Sequence, residues 1–159
     1  VPPSATMVNA AVFSAGNHYT LSQTNAFSVN RTSNQTIAGN STFSKVEFNN
    51  VKYDIDGTFD SSTNYLHQPN VAGKYLYTVR LRISFLASHV TMVLLKLNGT
   101  DNIAQSNSEG LNDSVTFSTM LFMDGSSDYV EIFAAQDDTV NRDIQPSQHL
   151  EFTGHRVVG

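Results

Sequence analysis

Between residues 75 and 85 apolar side chains fall at every second position. Tyr75, Tyr77, Val79, Leu81, Ile83 and Phe85 share one face, and Leu76, Thr78, Arg80, Arg82 and Ser84 share the other. A strand puts such a pattern to use because successive side chains point to opposite faces, whereas a helix would scatter them round its axis. Shorter runs of this kind recur between Gly, Asn, Asp and Pro residues, and a 3.6-residue apolar period lasting three turns is almost nowhere found. An all-β fold follows. The expected strands are 26–31, 42–48, 51–55, 73–87, 90–98, 114–123, 129–136 and 149–158, with short additions near Thr36 and Leu66. About eight strands joined by turns make a sandwich, jelly roll or barrel.

The 159 residues amount to one domain and an extension. Residues 1–25 read as an N-terminal arm or linker and 26–159 as the β-domain. The arm is rich in Ser, Thr and Asn but carries Met7, Val8, Val12 and Phe13. Two readings fit it: Val8, Val12 and Phe13 dock on a neighbour, or the segment is a loosely ordered leader with one short strand. A chain that opens on Val1 is expected to be processed or a piece of a longer protein.

Three strands are apolar on both faces. Val90, Met92 and Leu94 oppose Val93, Leu95 and Leu97; Val115, Phe117, Leu121 and Met123 oppose Met120 and Phe122; Tyr129, Phe133 and Ala135 oppose Val130, Ile132 and Ala134. A two-sheet sandwich covers only one face of each sheet. Were these strands to share a sheet, its outer face would be an apolar patch of a size monomers rarely leave in water. Either a symmetric partner covers it or the arm folds back over it; most soluble oligomers are closed and homomeric, which favours the partner.

A family pattern runs through the same residues. Phe48, Asp54, Phe59 and Leu66, followed by Gly73-Lys74-Tyr75-Leu76-Tyr77, resemble the signature of C1q-like domains. Ala26-Phe27-Ser28-Val29 is similar to the family's first strand, Lys45-Val46-Glu47-Phe48-Asn49 to its second, Asp128-Tyr129-Val130-Glu131-Ile132 to its Gly-Asp strand and Phe152-Thr153-Gly154 to its closing Phe-x-Gly. Departures are Leu66 in place of Phe, one extra residue before Gly73, a longer turn at 124–128, and no cysteine. The resemblance implies a ten-stranded antiparallel jelly-roll sandwich of the C1q/TNF-like kind, assembled as a homotrimer with aromatics near the three-fold axis. On that reading Tyr75, Tyr77, Leu81, Phe85, Met92, Leu94, Phe117, Leu121, Tyr129 and Phe133 are the expected core and trimer-interface residues. The Cys-free, Asn/Ser/Thr-rich character resembles C1q-like heads of bacteriophage structural proteins more than vertebrate members.

Chemistry is sparse. No Gly-x-Ser-x-Gly elbow or glycine-rich phosphate loop occurs, and the five histidines (18, 67, 89, 149 and 155) are scattered. Glu47, Glu131 and Glu151 sit singly along strands, so no enzyme is expected and no catalytic residue is assigned. Aspartates gather at 54, 56 and 60, at 124 and 128, and at 137–138. Hard oxygen ligands suit calcium, and Asp137 and Asp138 after a strand are the candidate pair; turn formation is the competing explanation. Net charge of −5 with nine dispersed Lys and Arg excludes a phosphate-gripping surface, and no apolar run is long enough for membrane insertion.

The expected function is therefore non-enzymatic: the trimeric head of a phage fibre or spike, at the virion surface, contacting other virion proteins and a host-surface glycan or protein. The alternatives are a capsid decoration or cement protein docking through its arm, and a secreted, extracellular C1q-like adhesin or lectin. Fold alone does not separate them.

Overall fold

The computed structural model describes residues 25–84, 88–111, 114–146 and 149–158. The arm with Val8, Val12 and Phe13 lies outside them, as does Phe85. Thirteen strands and no helix are found among the described residues: β1 (Ala26–Asn30), β2 (Gln35–Ile37), β3 (Ser44–Lys45), β4 (Asn50–Asp54), β5 (Phe59–Asp60), β6 (Leu66–His67), β7 (Gly73–Arg82), β8 (His89–Leu97), β9 (Asp101–Gly110), β10 (Ser114–Met123), β11 (Val130–Gln136), β12 (Arg142–Ile144) and β13 (Glu151–Val158). The implied number was ten; the excess is made of short strands of two or three residues.

The strands form a five-stranded sheet in the order β10-β7-β13-β1-β4 and a second sheet in the order β5-β6-β11-β8-β9, with β3 also on β11 and a β2–β12 ribbon beside them. The pairings are antiparallel. Strand β7 lies between the sequence-distant β10 and β13, so the long alternating stretch becomes an interior strand of its sheet. Its apolar face, Tyr75, Tyr77, Val79 and Leu81, is sealed inside the sandwich against Phe27, Phe48 and Phe152 from the same sheet's neighbourhood and Val93, Leu95 and Ile132 from the other. Fully burying side chains of this size contributes about 1.5–3 kcal/mol each. Gly154 of β13 is what lets the aromatics close: an added Cβ would stand 2.4 Å from Phe27 Cε1 and 2.8 Å from Tyr77 Cδ1.

Two expectations need correction. Strand β9 was not foreseen, because it lies at the end of its sheet and pairs only with β8. Polar on both faces, it carries no apolar alternation to betray it; only Ile103 packs on the core. The three two-faced strands also do not share a sheet: β8 and β11 pair with each other, while β10 belongs to the opposite sheet. On the outer side of β8 and β11, Leu94 and Ala135 are already buried within one chain, and Met92 and Phe133 are half-buried. The ammonium groups of Lys96 and Lys45 lie 4.7 and 6.0 Å from the Phe133 ring centroid, within cation–π range. Little apolar surface is left there for a partner.

Candidate functional site

The surface that does remain open is the outer face of the five-stranded sheet. Register places its side chains in bands. Met120, Leu76, His155 and Ala26 stand opposite one another across four strands. Beside them run Ser118, Thr78, Thr153, Ser28 and Tyr53, and then Thr116, Arg80 and Glu151. The middle band is internally hydrogen-bonded, with Ser118 Oγ 2.7 Å from Thr78 Oγ1. Glu151 ties the charged band to it, accepting from Ser28 Oγ at 2.9 Å and Lys52 Nζ at 2.7 Å. The Lys52 hydrogen bond, reinforced by Ser28, holds the Glu151 carboxyl below its ordinary range despite partial burial. At the two edges stand exposed apolar groups: Met120 and Phe122, 54% and 60% accessible on β10, and Tyr53, 50% accessible on β4.

Of the expected core and interface residues, Tyr75, Tyr77 and Leu81 lie wholly inside the sandwich, and Phe117 and Leu121 lean on that core from β10. Met92, Leu94 and Phe133 are on the outer side of the other sheet, and Tyr129 is half-buried just before β11. The apolar side chains of β10 that face outward are instead Met120 and Phe122. Sequence spacing separated these two sets but gave no sign of which face would be inner.

Asp137 and Asp138 are engaged by backbone and side-chain groups of the protein. Asp137 Oδ1 accepts from Val90 N at 2.8 Å and lies 3.1 Å from His89 Nδ1. Asp138 Oδ2 pairs with Arg142 and lies 3.3 Å from His89 Nε2. The hydrogen bond from Arg142 holds the Asp138 carboxyl below its usual range. Among the described residues no group of three or more His, Asp or Glu is arranged to hold a metal.

A second feature escaped the sequence reading. The connection from β4 through β5 and β6 toward β7 encloses an open groove of about 450 Å³. Asp56, Thr58, Asp60, Asn64, Gln68 and Asn70 border it, with Phe59 and Leu66 as its apolar part. Asp60 builds the wall: its carboxylate accepts from the backbone N–H groups of Ser62, Thr63 and Asn64 at 2.9, 3.0 and 3.1 Å. Those bonds keep its pKa well below the ordinary carboxylate value. Beneath lies His67, with Nδ1 3.0 Å from Tyr77 Oη and Nε2 3.1 Å from Thr58 Oγ1. Burial pushes the His67 pKa down to about 3. Asp56 Oδ2 and Asp54 Oδ1 are shut off from water and have no hydrogen-bond partner among the described residues. The sequence signal for this groove was the density of Asp, Asn, Gln and Gly between Asp54 and Asn70, which reads equally well as turn chemistry.

This sandwich of two antiparallel sheets, closed by a Phe-x-Gly strand, can be set beside known proteins. The C1q-domain family model matches residues 26–157. The chain belongs to the C1q-domain family. Among solved structures, the C1q fold seen here is similar to the globular domain of zebrafish complement 1qA protein, with a TM-score of 0.58 and 19% identity over 85% of this chain and 98% of that one. It is also similar to Eiger TNF from S. frugiperda, with a TM-score of 0.63 and 11% identity over 85% and 93% of the two chains. Murine APRIL at pH 5.0 gives a TM-score of 0.62 and 9% identity over 85% and 100%. A comparison with curated protein sequences finds no match. C1q and TNF-like domains form homotrimers, are generally non-enzymatic, and are often secreted or extracellular. No helix among the described residues is long and apolar enough to cross a membrane.

Proposed function

We propose that this C1q domain is the trimeric, non-enzymatic recognition head of a virion structural protein, borne on a phage fibre or spike. The observation that carries the assembly is the banded outer face of the five-stranded sheet, with Met120 and Phe122 standing free in one copy. Covering side chains of this size contributes about 1 to 2 kcal/mol each, given that part of each is already shielded. Three copies packed through that face would leave the loops at the ends of the sandwich free to contact a target, as rigid scaffolds commonly do. The virion setting is supported by composition: no cysteine, 14% charged residues and a surface of Ser, Thr and Asn.

Immunogold labelling of particles from the source, with antibody raised against the domain, tests the placement. Label at fibre or spike tips is the expected result. Label spread over the shell would move the protein to capsid decoration through the arm residues Val8, Val12 and Phe13. Particles without label, together with soluble protein outside cells, would replace the virion reading by that of a secreted adhesin.

A further inference from the structure

Residues 1–24, which lie outside the described residues, hold no Asp, Glu, Lys or Arg, in a chain where such residues make up 14%. Segments that stay solvated are usually rich in charge and poor in apolar groups. This one instead carries Met7, Val8, Ala10, Ala11, Val12 and Phe13 in close succession. Extended as a strand, the stretch would place Val8, Ala10 and Val12 on one face and Met7, Ala11 and Phe13 on the other. Such a segment calls for a strand to pair with and an apolar surface to cover.

The fold offers both at the corner where the arm joins it. Strand β4 ends the five-stranded sheet and pairs with β1 alone. Ile55 N donates to Ala26 O at 3.0 Å, so alternation along the strand turns the Asp54 N–H and C=O toward the open edge. Val51, Tyr53 and Ile55 stand 40%, 50% and 49% accessible along it. Edge strands are commonly kept from pairing by an exposed charge. Here Lys52 is drawn onto Glu151 at 2.7 Å, and Asp54 Oδ2 accepts from Phe59 N at 2.8 Å, so neither guards the edge. The chain enters the sheet beside it: Asn25 O accepts from Arg156 N at 2.8 Å, and Ala26 opens β1. A strand added outside β4 would lie about 10 Å from β1. Residues 14–24 span up to about 40 Å when extended, so the apolar stretch reaches that edge with slack. The exposed apolar pair on β10, Met120 and Phe122, is at the opposite side of the sheet, beyond β13 and β7.

We infer that residues 7–13 lie along the open edge of β4 of their own chain, adding a sixth strand to the sheet and covering Tyr53 and Ile55. Tethering holds the segment at an effective concentration on the order of 1 mM, which favours its own β4 over that of another molecule. The inference is independent of the virion reading and leaves Met120 and Phe122 to the assembly.

Hydrogen exchange of the full chain, followed by NMR beside the Val8→Asp and Val12→Asp double variant, tests the pairing. The Asp54 amide should exchange about tenfold faster in the variant, with the amide of Val79 inside β7 unchanged. Equal exchange at Asp54 in the two proteins would overturn the inference. Because the chain has no cysteine, cross-linking identifies the partner. Phe13→Cys and Tyr53→Cys placed in one chain and treated with a bismaleimide should give an internally bridged product of single-chain mass. Failure to form it would overturn the inference. So would a two-chain product from mixed single-cysteine variants, which would put the arm on another copy, or from Tyr53→Cys alone, which would join the β4 edges of two copies.

Discussion

Acid should weaken this domain through one buried imidazole. His67 is stacked on Phe27 with ring centroids 4.4 Å apart and is hydrogen-bonded through both nitrogens to neutral hydroxyls. Burial lowers its pKa from 6.5 to about 3. Below pH 6.5 the unfolded chain takes up a proton that the folded chain refuses, so the stability present above that pH is lost as pH falls and the loss is complete near 3. Each pH unit in this window costs about 1.4 kcal/mol, so at a pH of about 4.5 the domain should be weaker by roughly 3 kcal/mol than at neutrality. The assay is urea unfolding at fixed protein concentration, comparing wild type with His67→Gln, which keeps polar contacts and cannot titrate. Glu151 and Asp138, whose pKa values are lowered, lose their own stabilising ionisation in stronger acid, but both proteins share that loss. Equal losses in wild type and variant between neutrality and a pH of about 4.5 would refute the reasoning.

Two further substitutions probe the packing. Gly154→Ala places a Cβ against the fully buried Phe27 and Tyr77 rings and should cost about 3 kcal/mol in urea unfolding. Gly57→Ala, where nothing lies within 4 Å and only a φ of +64° opposes a side chain, should cost about 1 kcal/mol; similar losses at both sites would contradict the close-packing argument. Asp60→Ala removes the acceptor for three backbone N–H groups of the groove wall and should cost about 1 kcal/mol, the scale of a lost side-chain cap, while raising amide exchange at Ser62 to Asn64.

The strand that the sequence announced most plainly is the one with one wet and one dry face. Strand β7 alternates in the structure as its residues do in the chain, because it is an interior strand whose inner face meets the other sheet. Where apolar groups occupied both faces, as on β10, the pattern marked a strand without saying which face was inner; that depends on which sheet the strand joins, a long-range fact. Strand β9 left no trace because an edge strand open to water needs no apolar period. The groove was illegible for a related reason. Asp56, Asn64, Gln68 and Asn70 are ordinary turn residues until the fold brings them round one space, and Asp60 does serve as a turn former.

The central claim is that the outer face of the five-stranded sheet joins three copies. Solution mass by light scattering of the full chain, beside the Met120→Asp and Phe122→Asp double variant, tests it most directly. Three copies for wild type and one folded copy for the variant is the predicted result. A monomeric wild type at micromolar concentration, or a variant that still assembles in threes, would contradict it.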